Sequence, residues 1–513
     1  MAVLPSAGPG PAHVAPRAGL ALALLLAINL FNYIDRQVLS AVLKRIELDA
    51  DLFQPDDPWL RTKLGLLATA FMASYMVLAP VFGRLSDRVP RWWVVGLGVI
   101  LWSIASGASG LAGTYAALLL TRCFVGVGEA AYGPVAPSML SDLYPERSRG
   151  RVLAGFYLAI PVGSALGFVI GGQVAEWTGD WRWAFYVVVV PGLLLGLFCF
   201  LMREPPRQTA DQPAASYRET VRRVIRVPSF IYCTVGMTFY TFVLGGVALW
   251  IPHYIFERTA KFVVNEEALT RLAEGRASDG VTPLVPPDVV DRLRPIAGPD
   301  QLSEAQLRDK LRDALGRDLQ RQYQSRIYDA TTASDSPTLG GIDFRFGAIV
   351  VVSGLGATLL GGWLGDKLRD RWRGAYFNVS GYSTLLAFPF FLAMLYVPFP
   401  TAWGMIFAAV FLLFMNTGPT NTILANVTPS AYRPTAFALN ILIIHALGDA
   451  ISPWILGYVA DLSSLERAME LVAALILVGG LVWVAGARHL DADTRRISTA
   501  EDQTGPLTPV GPS

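Results

Sequence analysis

The sequence predicts an all-helical membrane protein whose twelve spanning helices form two six-helix halves. Three observations predict this class: an apolar composition, twelve apolar stretches long enough to cross a bilayer, and a motif that recurs in both halves. Hydrophobic residues make up 53% of the chain and charged residues 16%, and the mean hydropathy is +0.43. Because an ordinary soluble domain carries about 25% charge, lipid must be part of this protein's solvent.

Spans are placed where about 20 mostly apolar residues follow one another. They begin near Ala18, Lys63, Trp92, Tyr115, Gly150, Trp183, Ser229, Phe344, Gly374, Thr401, Thr435 and Arg467. The chain then divides into a tail (1–17), a first half (18–202), a linker (203–228), a second half (229–487) and a tail (488–513).

Lysines and arginines predict the orientation of these spans. With the N-terminus inside, the inner segments hold twenty-one of them and the short outer loops hold six. Basic residues are enriched in cytoplasmic loops, so both termini, and with them the tails and the linker, are expected in the cytoplasm. The net charge of +2 gives no sign of a nucleic-acid partner.

Residues 257–341 form a polar insertion in the second half, on the predicted outer side. Ser303 and Gln306 have the spacing of a capping box, and Asn265 is placed to cap a short helix that ends near Gly275. Leucines then recur on one helix face at Leu307, Leu311, Leu315 and Leu319. These signals predict a small helical insertion over the outer mouth, and the alternative is a surface insertion without function.

A short motif follows span 2 and returns after span 8. The first copy runs from Gly83 to Arg88 and the second from Gly362 to Lys367, with an aspartate at the fifth position of each. The glycine is expected to let two helices approach closely, and the aspartate to meet a helix N-terminus or an arginine. The candidate inner gate comprises Gly83, Asp87, Arg88, Arg91, Gly362, Asp366 and Lys367. Charges that only set the membrane topology are the alternative.

Four ionisable residues fall inside predicted spans of the first half: Asp35, Arg36, Arg122 and Glu129. Such residues are costly in lipid and are functional hypotheses by default. Asp35 and Glu129 are predicted proton-coupling sites, because a carboxylate takes up a proton when desolvated and releases it beside an arginine. Arg122 is the predicted substrate or coupling cation. Arg36 either shares that role or neutralises Asp35, and a static salt-bridge network is the alternative for all four.

Two further patterns lie in other spans. His445 and Asp449 are four residues apart on one helix face, and form either a functional pair or a structural one. Span 5 carries a candidate helix-packing gate of small residues and a proline at Pro161, Gly163, Gly167 and Gly171.

No catalytic constellation accompanies these features. The sequence has no G-x4-G-K-[ST] phosphate loop, no H-E-x-x-H metal motif, and no set of nucleophile, base and acid. We therefore expect no enzymatic activity, no cofactor and no metal, and energy drawn from ion gradients.

Several segments together resemble the Spinster family of the major facilitator superfamily. The segments are Asn32–Arg36, Gly128–Ser138, Asp142–Pro145, Phe156–Gly167, Trp181–Phe185, Arg203–Pro206 and, in the second half, Gly362–Asp366. The resemblance implies a proton-linked carrier of lysolipids or sphingolipid phosphates that works by alternating access and, by analogy, as a monomer. It also implies that Asp87, Arg88 and Arg91 form a cytoplasmic latch, and that the small residues of span 5 mark an antiporter-like gate.

Two other functions fit the same residues. One is a small organic-anion symporter or a drug:proton antiporter, and the other is a transporter-like sensor that binds a ligand without flux. The Ala, Arg and Gly-rich composition is typical of a bacterial protein, which predicts the inner membrane.

Overall fold

The computed structural model describes residues 18–54, 57–204, 217–275, 283, 285–429 and 432–503. Eleven helices in these ranges are long and apolar enough to cross a membrane. They are Ala18–Ala41 (span 1), Leu60–Ser86 (span 2), Arg91–Gly110 (span 3), Arg151–Thr178 (span 5), Arg182–Cys199 (span 6), Pro228–Thr259 (span 7), Leu339–Leu368 (span 8), Ala375–Tyr396 (span 9), Thr401–Asn426 (span 10), Thr435–Leu462 (span 11) and Leu465–Ile497 (span 12). Each begins within five residues of its predicted start.

Span 4 is the predicted span that is not one long helix. It consists of Tyr115–Ala130 and, after a turn, Val135–Leu143. The backbone N–H groups of Tyr132 and Gly133 both donate to the carbonyl of Glu129, at 2.9 and 3.0 Å. Pro134 has no N–H and cannot continue the ladder, so the helix breaks and then resumes. The predicted tail 1–17 lies outside the described residues, and the helix of span 12 continues to Gln503.

The two halves repeat the same helix pairing. Spans 1 and 5, 2 and 4, and 3 and 6 pack along one another in the first half. The corresponding pairs in the second half are spans 7 and 11, 8 and 10, and 9 and 12. The internal repeat that the duplicated motif predicts is therefore present in three dimensions. Between the halves, span 5 packs on span 8 and span 2 on span 11.

We call the end of the bundle that carries the insertion outer and the end that carries Gly83–Arg88 inner, following the predicted orientation. The halves meet closely at their outer ends. The backbone N–H and the hydroxyl of Thr62 donate to Asp461 Oδ2 at 2.7 and 2.6 Å. On the other side, the backbone N–H of Gly340 donates to Glu176 Oε2 at 3.0 Å.

The insertion is helical, as the sequence predicts. Its helices are Glu266–Glu274, Pro287–Leu293 and Glu304–Thr331, the last of which we call the long insertion helix. Asn265 caps the first, and Ser303 with Gln306 forms a complete capping box on the long one. Leu307, Leu311 and Leu315 are buried, but Leu319 is only half-buried. The reason is Gly316, whose φ of 72° kinks the long helix and ends the leucine stack.

Candidate functional site

Asp35 lies in the middle of the first half, on span 1. Its side chain is buried at 3% exposure and accepts a hydrogen bond from the hydroxyl of Ser106 on span 3. Its second oxygen, Oδ2, is buried without a hydrogen-bond partner in the described part of the chain. A buried carboxylate with one unsatisfied oxygen is costly when ionised.

Arg36 pairs with Glu129 rather than with Asp35. Its Nε and Nη2 atoms lie 2.8 and 2.7 Å from Glu129 Oε2, and the glutamate is fully buried. The rings of Tyr33, Phe71 and Tyr75 surround the guanidinium, with centroids 5.1, 5.1 and 5.4 Å from its carbon. The predicted alternative in which Arg36 neutralises Asp35 is therefore not the observed pairing.

Arg122 is the second arginine inside these spans and, unlike Arg36, is buried, at 2% exposure. It donates to Ser109 Oγ at 2.9 Å and lies 5.3 Å from the centroid of the Phe185 ring. Among the described residues, no carboxylate oxygen lies within 4.0 Å of it, although the charges of Asp35 and Glu129 act on it from further away. Its Nε–H is buried without an acceptor in the same ranges. Arg122 is thus a desolvated cation whose Nε–H remains available to an acceptor.

The inner motif of the first half is organised around Arg91. This residue is buried, donates from Nε to Glu204 at 2.8 Å, and forms an ion pair with Asp142. Asp87 and Arg88, which the sequence places in the same latch, are exposed at the helix end. Glu204 and Asp142 are not among the predicted site residues.

The motif glycines do not have the predicted packing role. A Cβ at Gly83 would come no nearer than 4.0 Å to its closest neighbour, Pro134, and one at Gly362 would meet nothing within 4 Å. A tight contact between spans 8 and 10 falls one residue earlier, where a Cβ at Gly361 would collide with the backbone of Met415. That part of the prediction is wrong.

The rest of the second-half motif has its own partners. Asp366 accepts a hydrogen bond from the hydroxyl of Tyr376 at 2.8 Å. The ammonium of Lys367 lies 4.4 Å from the centroid of the Trp363 ring.

His445 and Asp449 form the pair that their spacing predicts. His445 Nδ1 lies 2.9 Å from both carboxylate oxygens of Asp449, and both side chains are partly exposed. The segment from His445 to Asp449 is a π-helical turn with a distorted backbone at Gly448. Such turns are frequent at functional sites.

The small residues of span 5 fit span 1 closely. A Cβ on Gly163 would lie 2.6 Å from the carbonyl oxygen of Leu30, and one on Gly167 would collide with the backbone of Ile34. Gly171 likewise faces span 1, whereas Pro161 packs against span 8 of the other half. Span 5 therefore holds the helix that carries Asp35 and Arg36.

A second charged cluster, which is not among the predictions, lies at the outer end of the bundle. Lys44 Nζ lies 3.1 Å from Glu47 Oε2, 3.8 Å from Glu257 Oε1, and 2.5 Å from Glu304 Oε1. His253 Nε2 lies 2.8 Å from Glu47 and 3.2 Å from Glu257. The spacings of Lys44 to Glu47 and of His253 to Glu257 are visible in the sequence, but Glu304 is distant in the chain, so the sequence gives no signal for it.

In this outer cluster, each charged group stabilises the ionised form of its neighbour of opposite charge. Burial lowers the pKa of Lys44, but Glu304 and Glu47 more than offset that effect and raise it. Burial alone would raise the pKa of Glu47, but Lys44 and His253 hold that pKa well below its ordinary value. Both groups therefore stay ionised across the physiological pH range.

The same cluster contains a set of metal-ligand types. One ligand atom each from Glu47, His253 and Glu257 lies within 4.8 Å of the other two. Lys44 and Arg61 already bind these carboxylates, with Arg61 Nη2 at 2.5 Å from Glu257 Oε1. A metal would have to displace these cations, so the residues fit an ion-pair network better than a metal site.

Comparison with known proteins identifies the family of the chain. Residues 25–264 match the family model of the Major Facilitator Superfamily. The chain is similar to Protein spinster homolog 3 of Danio rerio, with 31% identity over 96% of this chain and 89% of the relative. It is also similar to Protein spinster homolog 1 of Homo sapiens, with 32% identity over 94% of this chain and 82% of the relative.

Solved structures show the same fold. A bacterial homologue of the human lysosomal transporter Spinster, in an inward-facing and unoccupied conformation, is 20% identical with a TM-score of 0.68. The alignment covers 94% of this chain and 99% of that one. A D-xylose-proton symporter is 16% identical with a TM-score of 0.59, over 90% of this chain and 96% of that one. The predicted all-helical fold of two six-helix halves is thereby confirmed.

Proposed function

Because the chain belongs to the Spinster family of major facilitator transporters, and is a multi-pass membrane transporter rather than an enzyme, we propose that it is proton-coupled and moves an anionic amphiphile of the lysolipid or sphingolipid class. It does so by alternating access of its two halves, as a monomer in a bacterial inner membrane. Arg122 binds the anionic headgroup, and Asp35 and Glu129 are the protonation sites. The latch of Arg91 with Asp142 and Glu204 regulates the inner end.

The observation that carries this proposal is the difference between the two arginines inside the spans of the first half. Arg36 is ion-paired with Glu129, because its Nε and Nη2 atoms both contact Oε2 of that glutamate. Arg122 has a neutral hydroxyl and an aromatic ring as its near neighbours, and an Nε–H without an acceptor in the described ranges. A buried cation without a paired anion is expensive, and an anionic headgroup supplies the missing charge.

Asp35 is the first protonation site on the same reasoning. Asp35 and Glu129 each have one buried oxygen without a hydrogen-bond partner in the described ranges, but only Glu129 has a direct ion-pair partner, Arg36, so protonation of Asp35 comes first. Protonation of Asp35 removes a negative charge that acts on Arg122 and leaves that cation free for the headgroup. Proton uptake and substrate binding are thereby linked, which is the requirement for symport.

The test is flux of a labelled lysophospholipid into proteoliposomes, with and without an imposed pH gradient. Wild type is compared with Asp35→Asn, which keeps the shape of the side chain, and with Arg122→Gln. The exposed Asp51→Asn serves as the matched control, because it removes one carboxylate outside the spans.

We expect gradient-driven flux in wild type and in Asp51→Asn, with a loss of at least tenfold in Asp35→Asn and in Arg122→Gln. Flux that ignores both the gradient and Asp35 refutes the coupling mechanism. No lysolipid flux in wild type, together with uptake of a small organic anion, refutes the substrate class. Binding without any flux favours the sensor.

A further inference from the structure

The polar insertion is part of the second half of the protein, between spans 7 and 8, and its backbone is bonded to itself at the end of span 7. Near its start, Phe262 exchanges two backbone hydrogen bonds with Leu302, at 2.9 and 2.7 Å. The backbone N–H of Val263 donates to the carbonyl of Thr331 at 2.7 Å. The beginning, the middle and the end of the insertion are thus tied to one another directly beyond span 7. The insertion must move with the second half when the halves rock.

The long insertion helix nevertheless binds the first half. Its partners lie in the short segment 44–50 that follows span 1. Four polar links cross this boundary: Glu304 to Lys44 at 2.5 Å, Arg321 to the Ala50 carbonyl at 2.9 Å, Gln324 to the Leu48 carbonyl at 3.3 Å, and Asp329 to Arg45 at 3.6 Å.

The link from Glu304 to Lys44 is the buried one. Lys44 is 1% exposed and Glu304 is 7% exposed. If the outer ends part, Lys44 leaves with the first half and keeps Glu47, which lies on its own helix. Glu304 leaves with the second half and loses the cation that compensates it. Opening therefore costs the attraction within this buried pair, less the free energy that hydration of the separated Glu304 carboxylate returns.

We propose that the insertion is an outer clasp: its contacts through Glu304, Arg321, Gln324 and Asp329 with residues 44–50 hold the outer mouth closed and must release in every opening. The clasp sets the balance between outer-closed and outer-open states. The proposal goes beyond the function proposed above, because it needs only two rocking halves and does not depend on which substrate or ion they carry.

The population of the outer-open state tests the clasp. Spin labels at Leu111→Cys and Ser463→Cys sit on exposed outer loops of the two halves. The three native cysteines, Cys123, Cys199 and Cys233, are first replaced by serine. Double electron–electron resonance then gives the distance distribution between the labels in full-length protein reconstituted in lipid nanodiscs.

Glu304→Gln is the main variant, because it removes the charge and keeps the size. We expect the ratio of long to short distances to rise at least tenfold. Glu267→Gln is the matched control: this glutamate is exposed on the same insertion, and its distribution should equal that of wild type. Arg321→Gln removes a link outside the buried cluster, and should raise the ratio by a smaller factor of about two to five.

Arg321→Gln also keeps the proposal testable if Glu304→Gln fails to fold. Wild-type distributions in every folded clasp variant overturn the clasp. A clasp variant with a shifted distribution in a protein that carries no lysolipid leaves the clasp standing and counts only against the proposed substrate, so the two failures are distinguishable.

Discussion

The pair of Arg36 and Glu129 supports a quantitative prediction about stability. Glu129 is fully buried and the Arg36 side chain is 18% exposed, and both short contacts go to a single carboxylate oxygen. Removing one partner of such a buried pair leaves the other charge without compensation, at a cost of about 3–5 kcal/mol. Glu129→Gln and Arg36→Gln should each lower the free energy of unfolding by an amount of this size.

The double variant should recover part of that loss. With both charges removed, no uncompensated ion remains, so the two single effects should exceed the effect of the double variant by about 1.5 kcal/mol or more. The assay is reversible unfolding in mixed micelles, followed by tryptophan fluorescence for the four members of the cycle.

An exposed ion pair supplies the control for this cycle. Arg294 and Glu266 lie 3.2 Å apart on the insertion, with side chains 56% and 73% exposed. The corresponding cycle there should give a coupling energy of at most about 1 kcal/mol. If Glu129→Gln costs no more than Glu266→Gln, or if the two single losses simply add, the interpretation of Arg36 and Glu129 as a compensating buried pair is wrong.

Two further predictions use contrasts that the structure provides. Gly167→Ala should lower the thermal midpoint strongly, because the new Cβ would collide with the backbone of span 1. Gly362→Ala should change the thermal midpoint little, because its Cβ would meet nothing within 4 Å. Equal midpoints for the two variants would contradict this packing. Lys44 should resist an amine-reactive reagent at pH 8.5, because it is buried and its raised pKa keeps it protonated, whereas the exposed Lys261 should react. Peptide mapping by mass spectrometry measures both yields, and equal labelling would contradict the closed outer cluster.

Local sequence signals predict the fold well for physical reasons. Apolar length alone places eleven spans, because a bilayer demands about 20 apolar residues per crossing. The caps at Asn265 and Ser303 are predictable, because the side chain and the backbone N–H that it binds are three residues apart. The break in span 4 is not among the predictions, although Pro134 is a local signal for it. The kink at Gly316 is not, because a lone glycine in a helical pattern does not by itself demand a positive φ.

The site residues show the limit of the same approach. Charge inside a span is conspicuous in the sequence, which is why it indicates Asp35, Arg36, Arg122 and Glu129. Their partners are not predictable, because the pairing depends on how spans 1, 3 and 4 are rotated about their axes. The role of Glu304 cannot be predicted from the sequence, since a glutamate in a polar insertion has no feature that marks it as buried.

The two charge clusters are mechanically connected through one stretch of chain. Asp35 belongs to span 1, and Lys44 to the short helix Leu43–Glu47 that continues it, nine residues further on. At 1.5 Å per residue this separation is about 14 Å. The glycines of span 5 clamp span 1 against the first half, so span 1 moves with that half as a body. Any rocking that moves the first half, and Asp35 with it, relative to the second half must therefore also move Lys44 relative to Glu304, and the clasp adds its free energy to that conformational step.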